Sequence, residues 1–254
     1  MYSNYIIIIL LASIFIINIV IIILFHRKKI LLQNIQISLL KKNQQTNIHI
    51  ESLFSIYSTL RPRRSLPEMR GWACSPDLLK YLMDTVLNKK PRTIVEAGCG
   101  VSTIILGYAL KLIGEGKLFS FEHKKEYADQ IRENISEHDL DNFITIIDGP
   151  LIEYNISEKS WLWYDINSLG TTFSIDMLFI DGPPRSIQEL SRYPALNILG
   201  SRLSENSIII LDDGNRNDER EIIKKWQKEY SHLSALYLKF EKGAFVIFNK
   251  NNKI

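Results

Sequence analysis

The residues of this sequence best suited to chemistry are a pair of glycines and a set of acids, each placed where an apolar run ends. Thr93-Ile94-Val95-Glu96-Ala97-Gly98-Cys99-Gly100-Val101-Ser102-Thr103 passes from a β-branched stretch through an acid into two glycines one residue apart, then into a helix-like segment. Gly98 and Gly100 present no Cβ, so the backbone there can turn tightly and approach a bound molecule. Amides at the start of the following helix would point at that molecule. Glu122 closes the next apolar run, Leu118 to Phe121. An acid about 20 residues beyond such a glycine pair can accept both hydroxyls of a ribose. The chemistry implied is the binding of a nucleotide-like ligand. Asp148, Asp181 and Asp212-Asp213 end later apolar runs in the same way.

Alternating strands and helices must position these groups. Ser75 has N-cap chemistry, with Pro76 next and Asp77 in the first turn, so a helix is predicted toward Leu87. Strands are predicted at 93–96, 118–122, 143–147, 177–181 and 207–212. Helices are predicted after Ser102, over 124–137, and over 219–230 with capping-box spacing between Asp218 and Glu221. Runs 236–240 and 244–248, joined around Glu241-Lys242-Gly243, read as a closing hairpin. This order implies an α/β, Rossmann-like, mostly parallel sheet whose ligand lies beyond the carboxyl ends of the strands.

The 254 residues are expected to divide into an anchor (1–25), a connector (26–52) and a globular domain (53–254). Residues 6–25 carry no charge, and seventeen of them are Ile, Leu, Val or Phe. A helix of that length spans the ~30 Å hydrocarbon core of a bilayer. No basic residue precedes the run and no small-residue cleavage site follows it, which argues against a signal peptide. Arg27, Lys28 and Lys29 follow it, which predicts a single membrane pass with the domain in the cytoplasm. In the connector, Leu32, Ile35 and Leu39 share a helical face, and the polar run Asn43 to Asn47 is expected to break or loosen the helix. Leu53, Ile56 and Leu60 repeat at helical spacing up to Pro62. Net charge is +3, from 31 basic and 28 acidic residues, with no basic block interleaved with aromatics, so nucleic acid is not an expected partner. Cys74 and Cys99 suggest neither a disulfide framework nor a zinc site. His138 and His232 read as exposed helix-end residues.

A dinucleotide fingerprint requires a third glycine where Thr103 stands. Glu96, two residues before the first glycine, also argues against a pyrophosphate ligand. Glu96-x-Gly98-x-Gly100 resembles motif I of the class I S-adenosylmethionine (SAM)-dependent methyltransferases. From about Leu53 to Phe248 the chain is similar to their bacterial branch known as methyltransferase domain family 24. The matching pieces are Gly71 to Asp77, the glycine loop through Thr103, Phe121-Glu122-His123, Trp163-Tyr164-Asp165, Ile180 to Pro184, Arg192 to Leu196, and Leu211 to Arg216. The resemblance implies a seven-stranded sheet ending in an antiparallel hairpin, SAM as cofactor, and methyl transfer to an oxygen or nitrogen of a small-molecule or lipid-linked acceptor.

It also implies that Glu96 lies near the methionine amino group, with Gly98 and Gly100 under the ribose and methionine. Ser102, Thr103, Glu122, His123, Asp148, Gly149 and Asp181 complete the cofactor-binding set, with Asp148 near the adenine. Asp181 faces the transferred methyl as base, orienting group or metal ligand; the alternative is a turn acid capping the loop after it. Catechol-type relatives bind a divalent cation, for which Asp181, Asp213 and Asn215 are the candidates. No metal is expected, because Gly214 and Pro184 stand where those relatives carry asparagine and lysine. Trp161, Trp163 and Tyr164 either line an acceptor pocket or pack over the sheet edge. Arg192 and Arg216 either hold an anionic acceptor or pair with nearby acids. The rival functions are a nicotinamide-dependent oxidoreductase and a tethered, non-catalytic SAM-binding scaffold.

Overall fold

The computed structural model describes residues 2–69, 71–170 and 174–251, without the side chains of residues 3, 4, 8, 9 and 12. It contains two compact units, Met1–Ile48 and His49–Ile254.

The first helix, α1 (Tyr2–Leu60), is unbroken. The expected loosening at Asn43 to Asn47 does not occur. No glycine or proline interrupts the helix, and polar residues such as Asn, Gln and Thr cost an interior turn only tenths of a kcal/mol. Thr46 Oγ1 donates to the carbonyl of Lys42 at 3.0 Å, so the side chain is satisfied within the helix. Arg61, in the left-handed region (φ 47°), and Pro62 end it. Among the described residues, no helix is long and apolar enough to cross a membrane. The expected span at 6–25 includes Ile8, Ile9 and Ala12, whose side chains lie outside the described residues.

The second unit carries α2 (Pro76–Lys89), β1 (Thr93–Ala97), α3 (Val101–Ile113), β2 (Lys117–Glu122), α4 (Lys125–Glu137), β3 (Ile144–Asp148), β4 (Leu151–Ile156) and β5 (Lys159–Tyr164). Then come β6 (Ile175–Ile180), α5 (Pro194–Leu199), β7 (Leu203–Asp212), α6 (Asn217–Glu229), β8 (Leu233–Leu238) and β9 (Ala244–Asn249). Seven strands form one sheet in the order β3-β2-β1-β6-β7-β9-β8, parallel through β7 and antiparallel for the closing hairpin. The chain runs outward from β1 in one direction and from β6 in the other, so the crevice where α/β sheets take ligands lies between those two tips.

Alternation along each strand assigns side chains to the two faces. Ile94, Leu118, Met177, Phe179 and Ile210 pack with α2 and α3 in one apolar cluster. Val95, Phe121, Leu178, Ile180, Ile209 and Leu211 pack with α5 and α6 in the other. By the same parity Glu96, Ser120, Glu122, Asp181 and Asp212 all fall on the α2–α3 side.

Two elements differ from expectation. The long connection after β3 is a separate two-stranded hairpin, β4–β5. Helix α6 begins after Arg216, so Asp218 and Glu221 do not form its capping box. Asp218 instead accepts from Arg185 Nε at 2.9 Å. His138 is also not exposed; it is buried, 2.7 Å from the Tyr108 hydroxyl.

Candidate active site

The glycine turn is built around Glu96. This side chain is fully buried, and both of its oxygens are taken by hydroxyls: Ser102 on Oε1, Thr103 and Ser120 on Oε2, each at 2.6 Å. Thr103 Oγ1 also accepts the Gly100 amide at 2.9 Å. Glu96 thus ties the tip of β1 to β2 and to the first turn of α3. Burial pushes its carboxyl up to about 7, against the pull of the three hydroxyls.

The two glycines do different work. Gly98 has φ 97°, and a Cβ there would lie 3.1 Å from the Gly182 nitrogen and 3.2 Å from the Asp181 carbonyl carbon. It is the point where the tips of β1 and β6 touch. Gly100 is extended, and nothing lies within 4 Å of where its Cβ would be. The bare backbone there faces open space.

Glu122 stands at the tip of β2. Its Oε1 accepts the amides of His123 and Lys124, both at 2.8 Å, which fixes the carboxylate. Among the described residues its Oε2 has only the Cys99 thiol, at 3.6 Å. One oxygen therefore remains able to accept from a ligand. His123 Nδ1 lies 3.0 Å from Oε1 but is not aligned for a hydrogen bond. Gly149 is held beside Glu122, donating its amide to the Glu122 carbonyl at 2.8 Å.

Asp181 stands at the tip of β6 and is 17% exposed. Its Oδ1 accepts from Arg192 Nη2 at 3.0 Å, and its Oδ2 lies 3.4 Å from the Cys74 thiol. Burial and the neighbouring Asp212 push its carboxyl well above the usual range, while Arg192 pulls the other way. Arg192 is itself buried and occupied. Its Nη atoms donate to the carbonyls of Asp181 and Asp212 and to the Asp213 carboxylate, and Nη1 lies 3.6 Å from Glu219. The guanidinium locks the tips of β6 and β7 together, and so is not available to an anionic acceptor. Arg216 joins the same network through Asp213 at 2.8 Å.

The structure brings Glu96, Gly98, Gly100, Ser102, Thr103, Glu122, His123, Gly149 and Asp181 to one crest. Asp148 turns aside: it is exposed and paired with Arg132 at 2.7 Å. The metal candidates do not converge. Asp213 is bound to Arg192 and Arg216, and Asn215 accepts from Tyr237 at 2.6 Å. The group that does converge is Cys74, Asp181 and Asp212, whose ligand atoms lie within 4.8 Å of one another. Cys74 is not read as a site residue from the sequence, although it lies within Gly71 to Asp77, one of the pieces that carry the resemblance. A cavity of about 360 Å³ lined by Leu203, Ser207, Tyr230 and Phe248 lies at the other end of β7, away from this crest.

Residues 95–214 match the family model of a methyltransferase domain. By sequence, no curated protein matches. Among solved structures, the fold is similar to a Podospora anserina methyltransferase bound to S-adenosylhomocysteine (SAH). The two share 17% identity over 79% of this chain and 88% of that one, with a TM-score of 0.56. A Bacillus cereus O-methyltransferase in complex with SAH shares 20% identity over 80% and 91%, with a TM-score of 0.52. TomG, an O-methyltransferase of Streptomyces achromogenes in complex with SAM, shares 14% identity over 81% and 98%, with a TM-score of 0.54. By the family match over residues 95–214 and by its sheet topology, the second unit carries a methyltransferase domain with the class I, SAM-dependent fold.

Proposed function

We propose that this protein transfers a methyl group from SAM to an oxygen of a small-molecule or membrane-proximal acceptor, with its domain held at the cytoplasmic face of a membrane. The observation that carries the reading is the convergence of a glycine turn open at Gly100, a fixed carboxylate at Glu122 and a basic carboxylate at Asp181 around one switch point. Oxygen is favoured over nitrogen because two of the similar structures are O-methyltransferases.

The residues fit the cofactor. Gly100 leaves room for close approach, and the free oxygen of Glu122 suits a ribose diol. Nicotinamide chemistry fits less well, since Glu96 puts a carboxyl group under the α3 N-terminus where a pyrophosphate would bind. When bound, SAM supplies an electrophilic methyl on a sulfonium. The protein has to align the acceptor with that methyl and handle the acceptor's proton. Asp181, whose basicity is raised by burial, takes the hydroxyl proton as the new O–CH₃ bond forms. Arg192 fixes its orientation through Oδ1.

The anchor is inferred from the uncharged run 6–25 and the basic residues after it. Its two polar side chains are satisfied inside the helix: Ser13 donates to the Leu10 carbonyl and Asn18 to that of Ile14.

Titration calorimetry with SAM, SAH and NAD tests the cofactor. Binding of SAM and SAH but not NAD is expected, and the reverse would overturn the reading. Transfer of label from methyl-labelled SAM to an extract of the source cells, lost in Asp181→Asn, tests catalysis. Cofactor binding without any labelled product would favour a non-catalytic scaffold.

A further inference from the structure

Tyr164 ends β5, outside the seven-stranded sheet, yet its ring lies across the strand tips of the site. A Cβ on Gly149 would lie 3.3 Å from its Cδ1. The ring tilts against Phe121, with centroids 5.9 Å apart, and meets His123 edge-on at 6.1 Å. At its far end, a Cβ on Gly182 would collide with the phenolic oxygen. Gly182 follows Asp181, so the phenol reaches from the β3–β4 corner to the acid that faces the methyl. Glu122, Cys99, Asp181 and Arg192 all act on it electrostatically.

The residue is 1% exposed, and no hydrogen bond joins its hydroxyl to a described residue, yet that oxygen is not among the fully buried polar atoms left without a partner. Packing alone would be served equally by phenylalanine; the hydroxyl lies against Gly182, where the backbone of Ala97 and Gly98 also comes within 3.2 Å of a Cβ position. Burial and the nearby carboxylates push the phenol up, so it stays protonated and acts as a donor.

We propose that the Tyr164 hydroxyl contacts the cofactor, donating a hydrogen bond to an oxygen of the ribose–methionine part of SAM between Glu122 and Asp181. This rests on the methyltransferase reading above. It makes the β4–β5 hairpin part of the cofactor site and explains why β5 ends where it does. It also couples two positions, because a side chain at 182 would displace the hydroxyl.

The test compares full-length wild type with Tyr164→Phe in detergent, using calorimetry with SAM and with SAH and thermal unfolding without ligand. Phenylalanine keeps the contacts with Phe121 and Trp163. The expected result is about tenfold weaker binding of both ligands, the loss of one hydrogen bond, with the ligand-free melting temperature unchanged or higher. Wild-type affinity for both ligands would overturn the proposal, and so would a fall in ligand-free stability with affinity intact, since that marks a purely structural hydroxyl. Failure of the wild type to bind SAM would instead overturn the methyltransferase reading.

Discussion

At the scale of single residues, the site contains two carboxyl groups with opposite duties. Glu122 is held by backbone amides and keeps one oxygen free, so it can serve a ligand. Replacing it by Gln removes the charged acceptor while keeping the shape, and SAM affinity measured by calorimetry should fall by about 1–3 kcal/mol. Glu96 has no exposed surface and serves the fold. Its carboxyl is raised from 4.5 to about 7, so between those values the unfolded chain gives up a proton that the native state keeps. Stability therefore falls as pH rises through this window, by roughly 3 kcal/mol from this group alone. Asp181, Asp212 and Glu219 are shifted in the same direction and add to the slope. Glu96→Gln should flatten the difference in unfolding free energy between pH 5 and pH 8, measured by urea titration without cofactor. A slope equal to wild type would show that Glu96 is not the group titrating.

At the scale of elements, the turn between β1 and α3 separates strain from access. Ala at Gly98 must adopt φ 97° and press on the backbone of the β6 tip, so a loss of about 1–3 kcal/mol in stability is expected. Ala at Gly100 meets no such barrier, because the backbone is extended and the space is open. Melting temperatures should fall for the first variant and hold for the second, while SAM affinity falls for both. The parallel strands were legible because each is a short apolar run with a polar residue at its tip, and a sheet buried on both faces demands that pattern. The hairpin β4–β5 was not legible. Its turn places Ser157 and Glu158 in the left-handed region, at φ 50° and 63°, where Asn-Gly is the usual signal. Helix α5 has only six residues, too few to show a period. The acids at strand tips could be located from sequence, and pairing with nearby acids is one of two readings of Arg192 and Arg216, but which acids they hold was not legible. Arg192 lies in the connection between β6 and β7, and only the folded sheet makes it the clasp between their tips. The same holds for Cys74, which reaches the acids from the start of α2.

At the scale of the whole chain, the two units distribute their apolar side chains differently. The second buries its apolar side chains in two clusters, one on each face of the sheet. The first has large apolar side chains exposed around its helix, among them Leu10, Leu11, Phe15, Ile16, Val20 and Phe25. Seventeen apolar residues in 6–25 would be covered in a bilayer, each favouring insertion by about 0.3–0.6 kcal/mol, which exceeds the cost of one Asn whose amide is already bonded to its own helix. A helix apolar on all sides has no amphipathic face with which to lie on a surface, so insertion rather than peripheral contact is expected. The full chain should therefore sediment with membranes, resist both high salt and alkaline carbonate, and enter solution with detergent. Residues 49–254 expressed alone should remain in the supernatant and still bind SAM. Release of the full chain by carbonate would overturn the anchor and leave the methyltransferase assignment untouched. A protease added to intact cells should leave the domain uncut if Arg27, Lys28 and Lys29 hold it on the cytoplasmic side, and cleavage there would reverse the orientation.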